Sequence, residues 1–235
     1  MSAATLPPGL AEILAGVDTP TVCNAIETAR GERGGYAFTR GMVHSFDPEA
    51  PPVFGFARTA RIRGNAPPDD AQATAARRVD YYRYVAEGPR PAIVVIEDED
   101  GEQATGAFWG EVNTAVHAGF GLSGVLTNGT MRDLGDLAPG FPVLAGGIAP
   151  SHDWVHVTGI DGTVTVFGMT VSPGDFVHAD RHGAVVVPPD ALPGLADAIG
   201  QMQEAEAHIL GPARAPGFDF EAFERAWAAF EKARV

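Results

Sequence analysis

The chain has 235 residues, 45% of them hydrophobic and 20% charged, enough for one sizeable core or one domain with terminal arms. Thirty acidic residues against 16 basic ones give a net charge of −14, which argues against a broad basic face for nucleic acid, and no window approaches the ~20 consecutive apolar residues of a membrane helix. The only cysteine, Cys23, cannot form an internal disulfide, and no basic stretch followed by an apolar run opens the chain, so a cytoplasmic protein is expected.

Residues 8–31 read as helical. PGLAEILAGV has apolar residues at helical spacing, and Asp18 and Thr19 can cap TPTVCNAIETAR, with Pro20 in its first turn and Gly31 at its end. Cys23 reads as a small buried residue of this segment, not as a nucleophile. Residues 36–52 read as an irregular connection. VFGFARTARIR (53–63) reads as a strand, GNAPPDD as a loop and 71–86 as a helix. Within that helix, DYYRY (80–84) is expected to pack and not to stack bases. AIVVIED is a continuous apolar run, as expected of a buried strand, and EDEDGE (97–102) reads as a solvated turn after it.

Beyond residue 133, PVLAGG (142–147), WVHV (154–157), TVTVFG (163–168) and DFVHADRHGAVVVP (175–188) read as short strands, with turns at Asp161-Gly162 and Pro173-Gly174. Residues 190–210 form an amphipathic helix that GPARAPG breaks. Residues 218–233 form a last helix with Phe218, Phe220, Phe223, Trp227 and Phe230 on an aromatic face, which can dock on the chain's own core or, as preferred here, on a neighbouring subunit. The layout gives an N-terminal helical arm (1–35), an α/β core (36–189) and C-terminal helices (190–235), with an α/β sandwich or small barrel as the fold.

The most informative stretch is GEVNTAVHAGFGLSGVLTNGTMRD (110–133). A Gly-Glu pair precedes, by twenty residues, an Arg-Asp pair. A helix of ~10 residues at about 1.5 Å rise runs out and a strand of ~6 residues at about 3.3 Å runs back, so the two pairs should meet. Free N–H groups at the helix start suit a carboxylate. Gly110 admits close approach, Arg132 can clamp a carboxylate, and Asp133 is a hard oxygen ligand for Mg²⁺ or Mn²⁺. Glu111 can act through water. Spacing alone also allows an ordinary αβ unit with Glu111 at the helix dipole and Arg132–Asp133 as a surface pair. His152, Asp153, His156, His178 and His182 crowd a late region without a standard zinc spacing, so they read as structural, with one or two lining a pocket.

This stretch resembles the Gly-Asp/Glu, twenty-residue spacer, Arg-Asp signature of the class II pyruvate aldolases. These include 4-hydroxy-4-methyl-2-oxoglutarate/4-carboxy-4-hydroxy-2-oxoadipate aldolase, with the regulator of ribonuclease activity A as a relative. TPTVCNAIE (19–27), FGFARTARIR (54–63), GMTVSPGDFVHADRHGAVVVP (168–188) and EAEAHIL (204–210) resemble further blocks of that family in the same order. The resemblance implies a swivelling β/β/α-type sandwich with a small central β-barrel. It implies Asp133 as metal ligand, Arg132 on the substrate carboxylate or keto oxygen, the backbone of Gly110, Glu111, Val112 and Asn113 on the pyruvate carboxylate, and Glu111 ordering water. It implies a catalytic glutamate from an adjacent subunit, matched by Glu206 and next by Glu204, in a homotrimer or homohexamer. The implied activity is divalent-metal-dependent cleavage of a 4-hydroxy-2-oxo acid to pyruvate, with oxaloacetate decarboxylation as a side activity. The alternative is a noncatalytic regulator like the ribonuclease E inhibitor. TNGTM before Arg132, and Glu in place of Asp at 111, depart from the aldolase pattern.

Overall fold

The computed structural model describes residues 5–233. The N-terminal pattern resolves into two helices, α1 (Leu10–Leu14) and α2 (Thr19–Arg30). The Asp18 carboxylate caps α2 by accepting from the Thr21 amide at 2.9 Å, and Gly31 ends it in left-handed backbone at φ 68°. The connection that follows holds only the two-residue strand β1 (His44–Ser45). Strand β2 (Val53–Arg63), helix α3 (Ala71–Ala86) and strand β3 (Ala92–Asp98) match their sequence patterns. Asp70 caps α3 through the amides of Gln72 and Ala73.

The middle of the chain is made of short pieces: β4 (Ala107–Trp109), α4 (Glu111–Gly119), β5 (Val125–Thr127), β6 (Thr130–Met131), β7 (Val143–Ala145) and β8 (Gly147–Ile148). Then come β9 (His156–Ile160), β10 (Val164–Val166), β11 (Met169–Val171), β12 (Phe176–Asp180) and β13 (Gly183–Val187). Helix α5 (Leu195–Ala213) starts later than its sequence pattern and runs through Gly211 and Pro212, where a break was expected. The last turn closes although Pro212 offers no N–H, because the Arg214 amide donates to the Leu210 carbonyl at 3.2 Å; elsewhere along its length α5 packs against α6 (Phe220–Ala233). Helix α6 starts at Phe220 because the Asp219 carboxylate accepts from the Ala222 amide at 2.8 Å and caps it there. No helix among the described residues is long and apolar enough to cross a membrane.

One curled, half-barrel sheet organises the fold, in the order β1-β7-β5-β3-β2-β12-β13. Strand β2 explains the curl. Its first half pairs β12, its last residues pair β9 across a bulge at Arg61/Ile62, and β3 runs parallel along it. The register sets Phe56 beside Ala92 and Val94 beside Val125, so alternate residues share a face. On one face, Val94, Ile96 and Val125 pack with Tyr81 and Val85 of α3 and Trp109. Phe56, Phe176 and Val185 pack against α1, α2 and α5. On the other face, Ile93, Val95, Leu126 and Leu144 lie under the β10–β11 hairpin. Burial on both sides is why β3 reads as an unbroken apolar run.

A second, three-stranded parallel sheet, β4-β6-β8, grows out of the first. Strand β5 stops at Thr127, and Asn128-Gly129 carries the chain across to β6; β7 reaches β8 through Gly146. The two transfers touch. The Gly146 amide donates to the Gly129 carbonyl at 2.8 Å, and a Cβ on Gly146 would overlap the Asn128 carbonyl. Glycine is required there by contact with backbone. The Asn128 side chain ties the transfer to β3. Its Oδ1 accepts from the Asp98 amide at 2.8 Å and its Nδ2 donates to the Asp98 carbonyl at 2.9 Å.

The acidic run 97–102 is therefore not a simple solvated turn. Glu97 and Asp98 belong to β3, Glu97 pairs with Arg61 at 3.3 Å, and the Asp100 carboxylate accepts from the amides of Gly64 and Asn65. Asp98 is 2% exposed, with Oδ2 unpartnered among the described residues. Burial pushes its carboxyl up to about 6, with the like charges of Asp100 and Glu99 adding. A raised carboxyl pKa means the folded state holds the proton more tightly, so stability falls as pH rises from about 4 to about 6. Asp98→Asn is expected to raise the Tm at pH 8 by about 5 °C, on a gain of about 2 kcal/mol, and to bring no gain at pH 4. Thermal melts of both proteins at the two pH values check this.

Candidate functional site

The pairing of β4 with β6 brings the two ends of the 110–133 motif together. The Arg132 amide donates to the Trp109 carbonyl at 2.8 Å, so the chain leaving β6 runs beside Gly110. Helix α4 does run out and β5 back, as the lengths predict, but the contact itself is made in the second sheet. Asp133 then sits in left-handed backbone at φ 55°, a region Asp tolerates better than most residues. That turn aims its carboxylate back at the helix start. Oδ2 accepts from the Glu111 amide at 3.2 Å and lies 3.6 Å from Arg132 Nε. Gly110 is extended, and a Cβ there would sit 2.5 Å from Asp133 Oδ2 and 3.1 Å from Arg132 Cγ. The missing side chain is the space that the carboxylate and the arginine stem use.

Helix α4 begins with free donors. Its first helical bond is from the Thr114 amide to the Gly110 carbonyl, and the Glu111 amide is taken by Asp133. The amides of Val112 and Asn113 have no acceptor among the described residues. Val112 is 66% exposed, whereas Asn113 is buried. The Asn113 side chain faces inward: Oδ1 accepts from Tyr82 Oη at 2.7 Å, and Nδ2 donates to the Phe108 carbonyl. Asn113 can thus offer a ligand its amide, while its side chain fixes the helix start. Below it, His117 is buried between the Asn113 carbonyl (Nδ1, 2.6 Å) and Tyr81 Oη (Nε2, 2.7 Å). Burial pushes this imidazole down to about 4, so at neutral pH it is uncharged, with Nδ1–H donating and Nε2 accepting as the partners require. The DYYRY segment is packing, as expected: Tyr81 and Tyr82 serve α4, and Tyr84 carries Arg58 over its ring at 3.6 Å.

A cavity of about 200 Å³ opens on this corner, with Gly110, Val112, Asn113 and Arg132 in its wall. Asp133 borders Gly110 and Arg132 without lining the cavity itself. Two further polar residues of the wall, Arg78 and His152, come from distant elements. Arg78 projects from α3 and donates to Tyr82 Oη. Nothing in its helical pattern marked it. His152 is the late histidine that reaches the cavity, and its Nδ1 lies 2.7 Å from the Asp153 carbonyl, which calls for an N–H there.

The other histidines have separate structural partners. His178 is buried between Thr19 Oγ1 and the Leu14 carbonyl, and His182 pairs with Asp180 at 3.1 Å. Cys23 is half-buried against the α2 cluster, and burial pushes its thiol up to about 11. Glu111 is exposed at the α4 start. Glu206 and Glu204 lie on α5, which packs on α1, α2 and α6, and neither lines the cavity.

The corner fits a hydrated divalent cation. Asp133 offers a hard, half-exposed carboxylate whose Oδ2 is oriented by the Glu111 amide and the Arg132 guanidinium, while Oδ1 has no partner among the described residues. No cluster of three or more His, Cys, Asp or Glu among those residues could enclose an ion, so one protein ligand with water completing the shell is the arrangement available. Electrostatically, a guanidinium and two free amides face a carboxylate across Gly110. That set can take an anionic oxo acid on one side and a cation on the other.

A family model described as RraA-like, Aldolase/RraA, matches residues 19–186. Among curated proteins, the chain is 31% identical over 105 residues to the uncharacterised protein MJ0644 of Methanocaldococcus jannaschii, covering 44% of this chain and 50% of that protein. It is 26% identical over 112 residues to protein DlpA of Legionella pneumophila, covering 46% of this chain and 18% of DlpA. The chain thus spans at most half the length of these relatives. Among solved structures, Streptomyces coelicolor RraAS2, described as an unusual member of the RNase ES inhibitor RraA protein family, superposes with a TM-score of 0.64 at 23% identity. The match covers 90% of this chain and all of that one, and it shows the fold.

Proposed function

The chain belongs to the RraA-like, Aldolase/RraA, family, and from that premise we propose that it is a divalent-metal-dependent carbon–carbon lyase that cleaves a 4-hydroxy-2-oxo acid to pyruvate. One observation carries the reading: the Arg132 guanidinium and the open amides of α4 share one small cavity wall, and the Asp133 carboxylate lies directly behind it, against the Glu111 amide and Arg132 Nε.

The substrate carboxylate binds the amides of Val112 and Asn113, with Arg132 beside it making charge-assisted hydrogen bonds. Asp133, with water, would hold the cation, Mg²⁺ or Mn²⁺, which would supply Lewis acidity to the bound 2-oxo acid. Glu111, exposed at the α4 start, holds a water that takes the C4 hydroxyl proton. The C3–C4 bond breaks, C4 leaves as a carbonyl, and the bonding pair becomes the enolate of pyruvate. Arg132 and the α4 amides stabilise that charge where it develops, which is the largest expected contribution. Return of the proton to C3 completes pyruvate. Loss of CO₂ from oxaloacetate produces the same enolate, so decarboxylation accompanies the main reaction. Glu206, or Glu204 beside it, completes the site from a second copy of the chain in a trimer or hexamer.

The test is pyruvate release from 4-hydroxy-4-methyl-2-oxoglutarate and from oxaloacetate, with Mg²⁺ or Mn²⁺ and then with a chelator. Chelation should cut the rate about 100-fold or more, and added metal should restore it. If no 2-oxo acid releases pyruvate with either metal, the lyase reading fails. The chain is then better read as a noncatalytic regulator that acts by docking.

A further inference from the structure

A second cavity, of about 320 Å³, adjoins the first, and Arg78, Phe108 and Val155 belong to both walls. The two differ in character. The first carries Arg132, His152 and the α4 amides. The second runs between the front of α3 and the start of β9, and Pro68, Ala71, Ala75, Trp154 and Val157 supply much of its wall. The Trp154 backbone is fixed at both ends, its amide donating to the Gly64 carbonyl at 3.1 Å and its carbonyl 2.7 Å from His156 Nδ1, yet its side chain leaves the residue 55% exposed. A large aromatic ring held open over an apolar groove is a contact surface awaiting a flat partner.

Resting on the lyase reading, we propose that this groove is the subsite for the substrate's distal group, and that the group is an uncharged aromatic ring and not a second carboxylate. The polar cavity takes the oxo-acid head, and the shared wall at Phe108 and Val155 leads C4 and its substituent into the apolar one. The charges in the second cavity favour this choice. Its one carboxylate, Asp153, accepts from Thr105 Oγ1 at 2.7 Å and would repel a distal anion. Its one guanidinium, Arg78, sits at the boundary with the first cavity, hydrogen-bonded to Tyr82 Oη and 6.0 Å over the Phe108 ring, and its one imidazole, His156, turns Nδ1 to the Trp154 carbonyl at 2.7 Å. The natural substrate class is then a 4-aryl-4-hydroxy-2-oxobutanoate. Breaking C3–C4, with the hydroxyl proton lost from O4 and a proton gained at C3, gives pyruvate and an aromatic aldehyde with no change of oxidation state overall.

The experiment compares kcat/KM for 4-hydroxy-2-oxo-4-phenylbutanoate and 4-hydroxy-4-methyl-2-oxoglutarate, in the full chain and in Ala75→Leu. Ala75 is exposed on α3 and leucine is a good helix former, so the variant should fold. The wild type should prefer the phenyl substrate by about 10-fold or more, and filling the groove should lower that ratio about 10-fold, mostly through KM. Calorimetric titration gives a readout independent of turnover, with 2-oxo-4-phenylbutanoate, which keeps the ring on C4 and lacks the hydroxyl needed for cleavage, expected to bind more tightly than 2-oxoglutarate and to lose that advantage in Ala75→Leu. Preference for the dicarboxylate, or a ratio unmoved by Ala75→Leu, overturns the subsite and leaves the lyase reading standing. No pyruvate from any substrate overturns the lyase reading, and the subsite with it.

Discussion

Asp133→Asn should abolish pyruvate release, by about 1000-fold or more in kcat, while leaving the protein folded. The substitution separates two tasks of one side chain. As a structural group, Asp133 caps α4 by accepting from the Glu111 amide, and an asparagine amide oxygen can do the same. Asn also tolerates the left-handed backbone at φ 55°, so the variant's Tm should lie within about 3 °C of the parent's. As a ligand, the neutral amide loses the charge that a hard cation requires, and with it several kcal/mol of transition-state stabilisation. Asp133→Ala is the contrasting case. It loses ligand, cap and backbone preference together, and should destabilise by a further 1–2 kcal/mol or so. Rate and melting curves for both variants check this. An Asp133→Asn protein that keeps more than about a tenth of parental activity would remove the ion from this carboxylate.

Gly110→Ala should cost about 100-fold in kcat/KM through geometry alone. Its backbone is extended, which alanine adopts freely, so no conformational strain enters. The effect comes from the Cβ, placed 2.5 Å from Asp133 Oδ2 and 3.1 Å from Arg132 Cγ. The first contact forces a shift and the second asks a few tenths of an ångström of its neighbour, and the groups that must yield are the proposed ligand and the proposed carboxylate clamp. A displacement near 1 Å at a reacting centre is enough for a loss of about this size. Affinity for Mn²⁺, read by electron paramagnetic resonance, should fall in parallel. Unchanged activity in a folded Gly110→Ala protein would mean that the corner is slack and that its apposition to Asp133 is incidental.

Much of this corner was legible because it depends on local rules. A Gly-Glu start, a short helix and an Arg-Asp pair twenty residues on specify a return to one side by rise per residue alone. The cap at Asp18 and the buried run of β3 were equally local. What sequence could not supply was the partner across space. Strand β6 is two residues long and carries no periodicity, so a second sheet was invisible. The Gly211-Pro212 pattern did not end α5, because the Arg214 amide still reaches the Leu210 carbonyl across it. Arg78 and His152 enter the cavity wall because α3 and the 151–155 loop pass there, and neither position differs in kind from its neighbours. Asn113 entered the sequence reading through its backbone alone, and the role of its side chain, tied to Phe108 and Tyr82, carried no sequence signal.

The jog at Asn128-Gly129 has a further consequence. Four residues separate the end of β5 at Thr127 from Arg132, and within them the chain must leave one sheet, cross Gly146 and align with β4. Adding or removing one residue would invert which side of the strand each of the last two side chains faces, even if every chemical group were kept. In this stretch the count of residues is itself part of the specification: Asn128 and Gly129 fix where the crossing starts, and the length that follows fixes which way the Arg-Asp pair points.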